Sequence, residues 1–153
     1  MKSITLYFSS HHGNTKKLVD AIAATGVETL DVSKSTKLDL NDYDIIGIAS
    51  GIYGGSFGKP ILSFLEKNLP GNKKVFLIYT CAKKLGHYTN AVRKIVDAKG
   101  CQVIGDYSCP GYNTFGPFKL VGGTAKGHPT KEEIEAAVDS WRNICTKIPP
   151  SSY

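Results

Sequence analysis

Hydroxyl side chains crowd one junction near the start of the chain. Ser9, Ser10 and Thr15 enclose His11, His12, Gly13 and Asn14, directly behind the apolar run 4–8 and directly ahead of a helical pattern with Leu18 and Ile22 four apart. A strand, a small polar loop and a helix start, in that order, make a place for an anion. The first turn of a helix leaves amides unpaired, the helix dipole adds partial positive charge there, and the hydroxyls add donors. Phosphate is the commonest guest of such a loop. The same composition also suits an ordinary strand-to-helix turn capped by Asn14 or Thr15.

Two further stretches carry chemistry-bearing residues. Ser50-Gly51-Ile52-Tyr53-Gly54-Gly55-Ser56-Phe57-Gly58 sets an aromatic ring among glycines, and Thr80-Cys81-Ala82 runs on towards His87 and Tyr88. The four cysteines, Cys81, Cys101, Cys109 and Cys145, are widely spread, with no Cys-x-x-Cys and no histidine at zinc-site spacing, so no metal is expected. Cys81 has no activating base nearby in sequence and reads as a small wall residue rather than a nucleophile. Cys109-Pro110-Gly111 reads as a tight turn, and Cys145 and Trp141 as core residues of the last helix.

These residues are useful only if regular elements hold them together. Strands are predicted at residues 4–8, 27–32, 43–50, 74–79 and 102–107, with helices at about 14–25, from Lys59-Pro60 onwards, at about 89–99, and from Thr130 onwards. Pro60 suits a first helical turn, where its missing N–H costs nothing. Gly100 suits a helix end. Thr130 and Glu133 have the spacing of a capping box, and Ile134, Val138, Trp141, Ile144, Cys145 and Ile148 mark one face behind it. Residues 108–129 form a long irregular segment, whose aromatics Tyr112, Phe115 and Phe118 favour a packed loop.

Alternating strands and helices predict an α/β domain, a doubly wound parallel sheet of five strands, spanning residues 1–153 as one unit. In such sheets ligands bind beyond the carboxyl ends of the strands, where the winding reverses. All three chemistry-bearing stretches leave carboxyl ends. Their coincidence weighs more than any one motif.

Composition narrows the class. A hydrophobic content of 41%, no apolar run long enough to cross a bilayer and no leader-like opening predict a soluble, cytoplasmic protein without membrane insertion. The formal charge of +6 points to acidic partners or anionic ligands. Basic and aromatic residues are not interleaved on one element, which argues against nucleic acid. Gly-x-Gly-x-x-Gly is missing after the first strand, and Gly58-Lys59 is followed by Pro60 rather than by Ser or Thr, against dinucleotide and Walker sites. The residues six places after the cysteines are His87, Tyr107, Phe115 and Ser151, none the arginine of a cysteine phosphatase. Serines and histidines stand where a receiver domain would carry acids.

Ser10-His11-His12-Gly13-Asn14-Thr15 resembles the phosphate loop of flavodoxins, usually Ser/Thr-x-Thr-Gly-x-Thr, departing from it at His12. Ser50-Gly51-Ile52-Tyr53-Gly54-Gly55 resembles the second flavin loop. Thr80-Cys81-Ala82 to His87-Tyr88 occupies the place of the third, without its acidic, glycine-rich look. The resemblance covers essentially the whole chain. It implies a flavodoxin-like three-layer sandwich with strand order 2-1-3-4-5 and FMN as cofactor. It further implies that Ser9, Ser10, His11, His12, Gly13, Asn14 and Thr15 surround the phosphate, that Tyr53 stacks on the ring, and that Ser50, Gly51, Ile52, Gly54, Gly55, Thr80, Cys81, Ala82, His87 and Tyr88 line the rest. Gly54 stands where flavodoxins turn a peptide carbonyl towards the flavin. His11 and His12 are equally readable as exposed loop residues, Tyr53 as the cap of a hydrophobic edge, and His87 and Tyr88 as the start of the third helix.

The resemblance implies electron transfer between redox partner proteins. Flavodoxins are typically acidic and dock on basic surfaces, but here Lys16, Lys17, Lys59, Lys83, Lys84, Lys119 and Lys126 lie in or beside the three stretches and predict instead a partner with an acidic docking surface or an anionic small molecule. The alternative is an FMN-dependent oxidoreductase on the same fold, such as a quinone or NAD(P)H reductase or a relative of protoporphyrinogen oxidase.

Overall fold

In the computed structural model the chain runs β1 (Ser3–Phe8), α1 (Asn14–Ala23), β2 (Glu28–Asp31), β3 (Ile45–Tyr53), β4 (Ser56–Phe57), α2 (Lys59–Asn68), β5 (Lys74–Cys81), α3 (Asn90–Ala98), β6 (Gln102–Pro110) and α4 (Lys131–Lys147). The structure describes residues 1–9, 13–35, 37–82, 86–111 and 127–148. Ser10, His11 and His12, the lysines 83, 84, 119 and 126, and the aromatics 112, 115 and 118 lie outside the described residues.

The five long strands are parallel, in the order β2-β1-β3-β5-β6, which is the expected 2-1-3-4-5 arrangement counted along the chain. The sixth strand, β4, was not expected. It pairs antiparallel with the end of β3.

Side chains leave alternate faces of a strand, so each buried strand feeds two cores. Val75 and Leu77 of β5 join Ile4, Leu6, Ile46 and Ile48 beneath Ile61, Phe64 and Leu65 of α2 and Val92 and Val96 of α3. Phe76 and Ile78 join Tyr7, Ile45 and Ala49 beneath Leu18, Val19 and Ile22 of α1 and Ala137 and Trp141 of α4. Two helices therefore cover each face, giving three layers. Cys145 is only half-buried at the margin of the second core rather than within it.

Gly47, in the middle of β3, is explained by Trp141. A Cβ there would lie 2.8 Å from the indole Cζ3 and 2.9 Å from Thr5 Oγ1. The missing side chain is the slot in which the indole sits, edge-on to Phe76 at 5.7 Å. The predicted capping box of α4 is formed. Glu133 N–H donates to Thr130 Oγ1 at 3.2 Å, and Thr130 N–H to Glu133 Oε1 at 2.8 Å, an arrangement worth about 1 kcal/mol.

Three strands outrun their expected ends, and the extensions matter. β3 continues to Tyr53, β5 to Cys81 and β6 to Pro110. Cys109-Pro110 is thus not a tight turn: these residues pair with Thr80 and Cys81, and Gly111 N–H donates to Cys81 O at 3.0 Å. The proline is tolerated because β6 is an edge strand and Pro110 is its last residue, where no ladder donor is needed.

Candidate functional site

β1, β3 and β5 end side by side, and the winding reverses between β1 and β3. At the end of β1, Gly13 is the N-cap of α1, at φ 66° and ψ 29°. This left-handed conformation suits glycine, which also has no side chain with which to close the helix end. The N-cap residue itself makes no side-chain bond to α1, so the first turn presents amides and the positive end of the dipole beyond the end of β1. Ser9 Oγ accepts from Lys16 N–H at 3.4 Å.

Thr15 is buried, its hydroxyl 3.0 Å from that of Thr80, and this pair ties the start of α1 to β5. What Thr15 offers an anion is therefore mainly its backbone. Gly111 seats the same junction, because a Cβ there would come within 2.9 Å of Asn14 Nδ2 and 3.0 Å of Thr80 Cβ.

The second stretch is a β-hairpin rather than a loop. Tyr53 pairs with Ser56 and Ile52 with Phe57. Gly54 and Gly55, at φ 60° and 81°, form the two-residue turn. Two positive φ values match the strand twist in a tight hairpin, which is why Gly-Gly there makes a turn and not an open loop. The Ser50 hydroxyl is turned inward. It donates to Gly51 O at 2.7 Å and accepts from Gly58 N–H at 3.0 Å, closing the base of the hairpin. The Tyr53 ring folds back over Gly51 and meets Phe8, ring centroids 5.5 Å apart.

From the third stretch, Thr80 and Cys81 are buried at the end of β5 and Ala82 follows half-buried. Tyr88 is buried in the core beneath α2 and α3, edge-on to Tyr79 at 6.4 Å. His87 stays exposed, and its Nε2 lies 3.6 Å from where a Cβ on Gly55 would be. The hairpin tip and the third stretch therefore meet at His87, while the first and third meet at Thr15 and Thr80. Phe8, Gly58 and Gly111 were not picked out as site residues from sequence. Phe8 looked like strand core, and glycines whose role is to leave space carry no chemical signal.

Charge around these strand ends is positive but partly spent. Lys16 Nζ lies 2.7 Å from Asp20 Oδ2, and this bond holds the ammonium pKa above its ordinary value; Lys17 and Lys59 are exposed. Among the described residues no group of three or more His, Cys, Asp or Glu side chains gathers to hold a metal, and no helix is long and apolar enough to cross a membrane.

Beneath β6, burial, reinforced by the Glu133 charge, pushes the Cys109 thiol up to about 12. Burial does the same to Tyr107, whose hydroxyl donates to Glu133 O at 2.7 Å. At the far end of the sheet the hydrogen bond from Tyr43 to Glu28 raises that phenol to about 12. Each group holds its proton more tightly folded than unfolded. The stability it contributes is whole below its unfolded value, 9.0 for the thiol and 10.0 for the phenols, and is lost as pH rises towards about 12. Urea unfolding at pH 8, 10 and 11 is expected to show stability falling across that series. Tyr43→Phe is expected to flatten the upper part of the fall; an unchanged slope would refute the assignment to Tyr43.

Strand order, helices on both faces and a reversal of winding between β1 and β3 define a flavodoxin-like α/β protein. The chain belongs to the flavodoxin family: residues 5–114 match the family's flavodoxin domain. It is 36% identical over 149 residues to an uncharacterized protein of Methanocaldococcus jannaschii, covering 94% of this chain and 98% of that one. Oxidised flavodoxin 1 of Bacillus cereus superposes with a TM-score of 0.70 at 17% identity, covering 97% of this chain and 100% of that chain. A flavodoxin variant of Fusobacterium nucleatum bound to flavin mononucleotide gives 0.66 at 17%, covering 97% and 98%. At such identities the structural likeness speaks to the fold.

Proposed function

We propose that this protein binds FMN and passes electrons between redox partner proteins. The observation that carries the reading is the meeting of two features at the neighbouring ends of β1 and β3: a helix start whose N-cap is a left-handed glycine, and a glycine-tipped hairpin bearing Tyr53. The donor set fits the cofactor. Amides of the first turn of α1 and the hydroxyl of Ser9 suit a phosphate without a paired cation. The hairpin suits a flat ring, with Tyr53 for stacking and the Gly54-Gly55 backbone beside it. By family resemblance Ser10, His11 and His12 complete the phosphate end, and Thr80, Cys81, Ala82 and His87 the remaining wall.

FMN supplies the redox chemistry when bound. The protein's own part is to hold the phosphate, exclude water with the buried walls of β3 and β5, and tune the couple through the hairpin. The net charge of +6 and the exposed Lys17 and Lys59 support a partner with an acidic docking surface. Four free cysteines among the described residues accord with a reducing, cytoplasmic setting.

The test is the visible spectrum of purified protein with the released cofactor identified, followed by dithionite titration. Yellow protein releasing FMN and reducing in two separate one-electron steps is expected. Colourless protein that refuses added FMN would refute the reading. Electron transfer to an acidic partner should slow as ionic strength rises, since exposed charges are screened beyond about 8 Å at physiological salt; rates indifferent to salt would count against the acidic surface. An FMN-dependent oxidoreductase on the same fold is the competing reading, and steady-state turnover with NAD(P)H and a quinone would establish it instead.

A further inference from the structure

Three elements converge on the ring of Tyr53. Phe8, the last residue of β1, lies beside Ser50 of β3 and meets the tyrosine at 5.5 Å between centroids with 58° between planes. That spacing is within the range of a favourable tilted aromatic pair. Gly51 lies beneath the phenol, where a Cβ would stand 2.9 Å from Oη and 3.1 Å from Cζ. Gly58, the N-cap of α2, closes the other side. A Cβ there would stand 2.5 Å from Phe8 Cδ1 and 3.3 Å from Tyr53 Cδ2. Gly58 is itself fixed in place by its N–H bond to Ser50 Oγ.

The backbone does not demand glycine at these two positions. Gly58 has φ −59° and ψ 141°, a conformation open to any residue, and Gly51 is an ordinary residue of β3 outside the positive-φ set. What they provide is space. The two absent side chains and the Phe8 edge form a slot that holds one aromatic plane.

We infer that Phe8 is a positioning residue for Tyr53, which with Gly51 and Gly58 presets the tyrosine plane for a flat ligand at the hairpin. The inference rests on the FMN reading above and adds to it the group that orients the stacking ring. A tyrosine ordered before the ligand arrives loses less rotamer freedom on stacking, so affinity is gained without a new contact to the ligand. Phe8 acts through Tyr53 rather than by touching the flavin.

The experiment compares the FMN-loaded wild type with Phe8→Leu, Phe8→Tyr, Gly58→Ala, Tyr53→Leu and the Phe8→Leu/Tyr53→Leu double variant. It reads FMN dissociation by fluorescence titration, the visible circular dichroism of the bound flavin, and both one-electron potentials. Phe8→Leu is expected to weaken FMN about three- to tenfold, as loss of one aromatic pair implies, and to alter the flavin dichroism. Phe8→Tyr is expected to restore both. Gly58→Ala strikes the same contact from α2 and is expected to reproduce the Phe8→Leu changes, so it still decides the matter if Phe8→Leu folds poorly. In the Tyr53→Leu background Phe8→Leu is expected to add nothing.

An equal effect of Phe8→Leu with and without Tyr53 would overturn the inference, as would wild-type affinity, dichroism and potentials in both Phe8→Leu and Gly58→Ala. Wild-type protein that binds no FMN would overturn the functional reading and the inference together. Wild-type binding with silent variants overturns the inference alone.

Discussion

Trp141→Ala is expected to lower the melting temperature by about 6–20 °C. Removing a buried aromatic costs about 3–5 kcal/mol, and each kcal/mol moves the midpoint of a domain this size by about 2–4 °C. The upper part of the range is favoured because this site cannot collapse. The indole is 2% exposed, stands edge-on to Phe76, and fills the slot left by Gly47. Gly47 and Phe76 are register partners in adjacent strands, and Gly47 pairs on its other side with Thr5. The sheet therefore cannot close over the gap without breaking its ladder. Trp141→Phe leaves part of the contact and should cost less. A circular-dichroism melt decides it, and a fall of under about 3 °C for the alanine variant would mean that α4 contributes far less to the core than its packing implies.

Gly13→Val is expected to weaken FMN binding by about five- to thirtyfold. At φ 66° a left-handed residue other than glycine costs roughly 1–2 kcal/mol, and a β-branched side chain is the least tolerated there. Each 1.4 kcal/mol is about a tenfold change in affinity. A Cβ at Gly13 meets nothing within 4 Å, so the penalty comes from the backbone and not from a clash. The residue can relieve it only by leaving the left-handed region, which moves the start of α1 away from the geometry proposed to hold the phosphate. A graded series follows. Gly13→Asn, which visits this region readily, should bind nearly as wild type, Gly13→Ala should be intermediate, and Gly13→Val should be weakest. If all three bind FMN alike in a fluorescence titration, Gly13 does not shape the phosphate site.

The five parallel strands and their helices were legible because each buried strand reads as a dense β-forming run and each helix shows its own period, and right-handed crossovers leave few ways to arrange them; the strand order itself was implied by the flavodoxin resemblance. The first stretch was legible for the same reason: Gly13 and its hydroxyl neighbours lie together in sequence because one strand-to-helix turn is a local structure. The second was legible in composition but not in form. Tyr53 and its glycines looked like a loop, and only pairing of Tyr53 with Ser56 shows that Gly54 and Gly55 are the tip of a hairpin. Cys109-Pro110 misled for a related reason, since proline and glycine mark turns on average and an edge strand tolerates a terminal proline.

The amino-acid order by itself determined the five parallel strands and four helices without their exact ends, most of the faces they bury, where the chain offers hydroxyls and glycines, and the family it resembles. Periodicity and local propensity act over a few residues and are written directly in the chain. The tertiary structure alone decided that Thr15 bonds Thr80 across 65 positions, that His87 comes to rest against the hairpin turn, and that Phe8, Gly51 and Gly58 make a slot for one tyrosine. Those contacts join separate strands and helix ends. Only the pairing of the sheet and the packing of helices upon it bring such distant positions within a few ångströms.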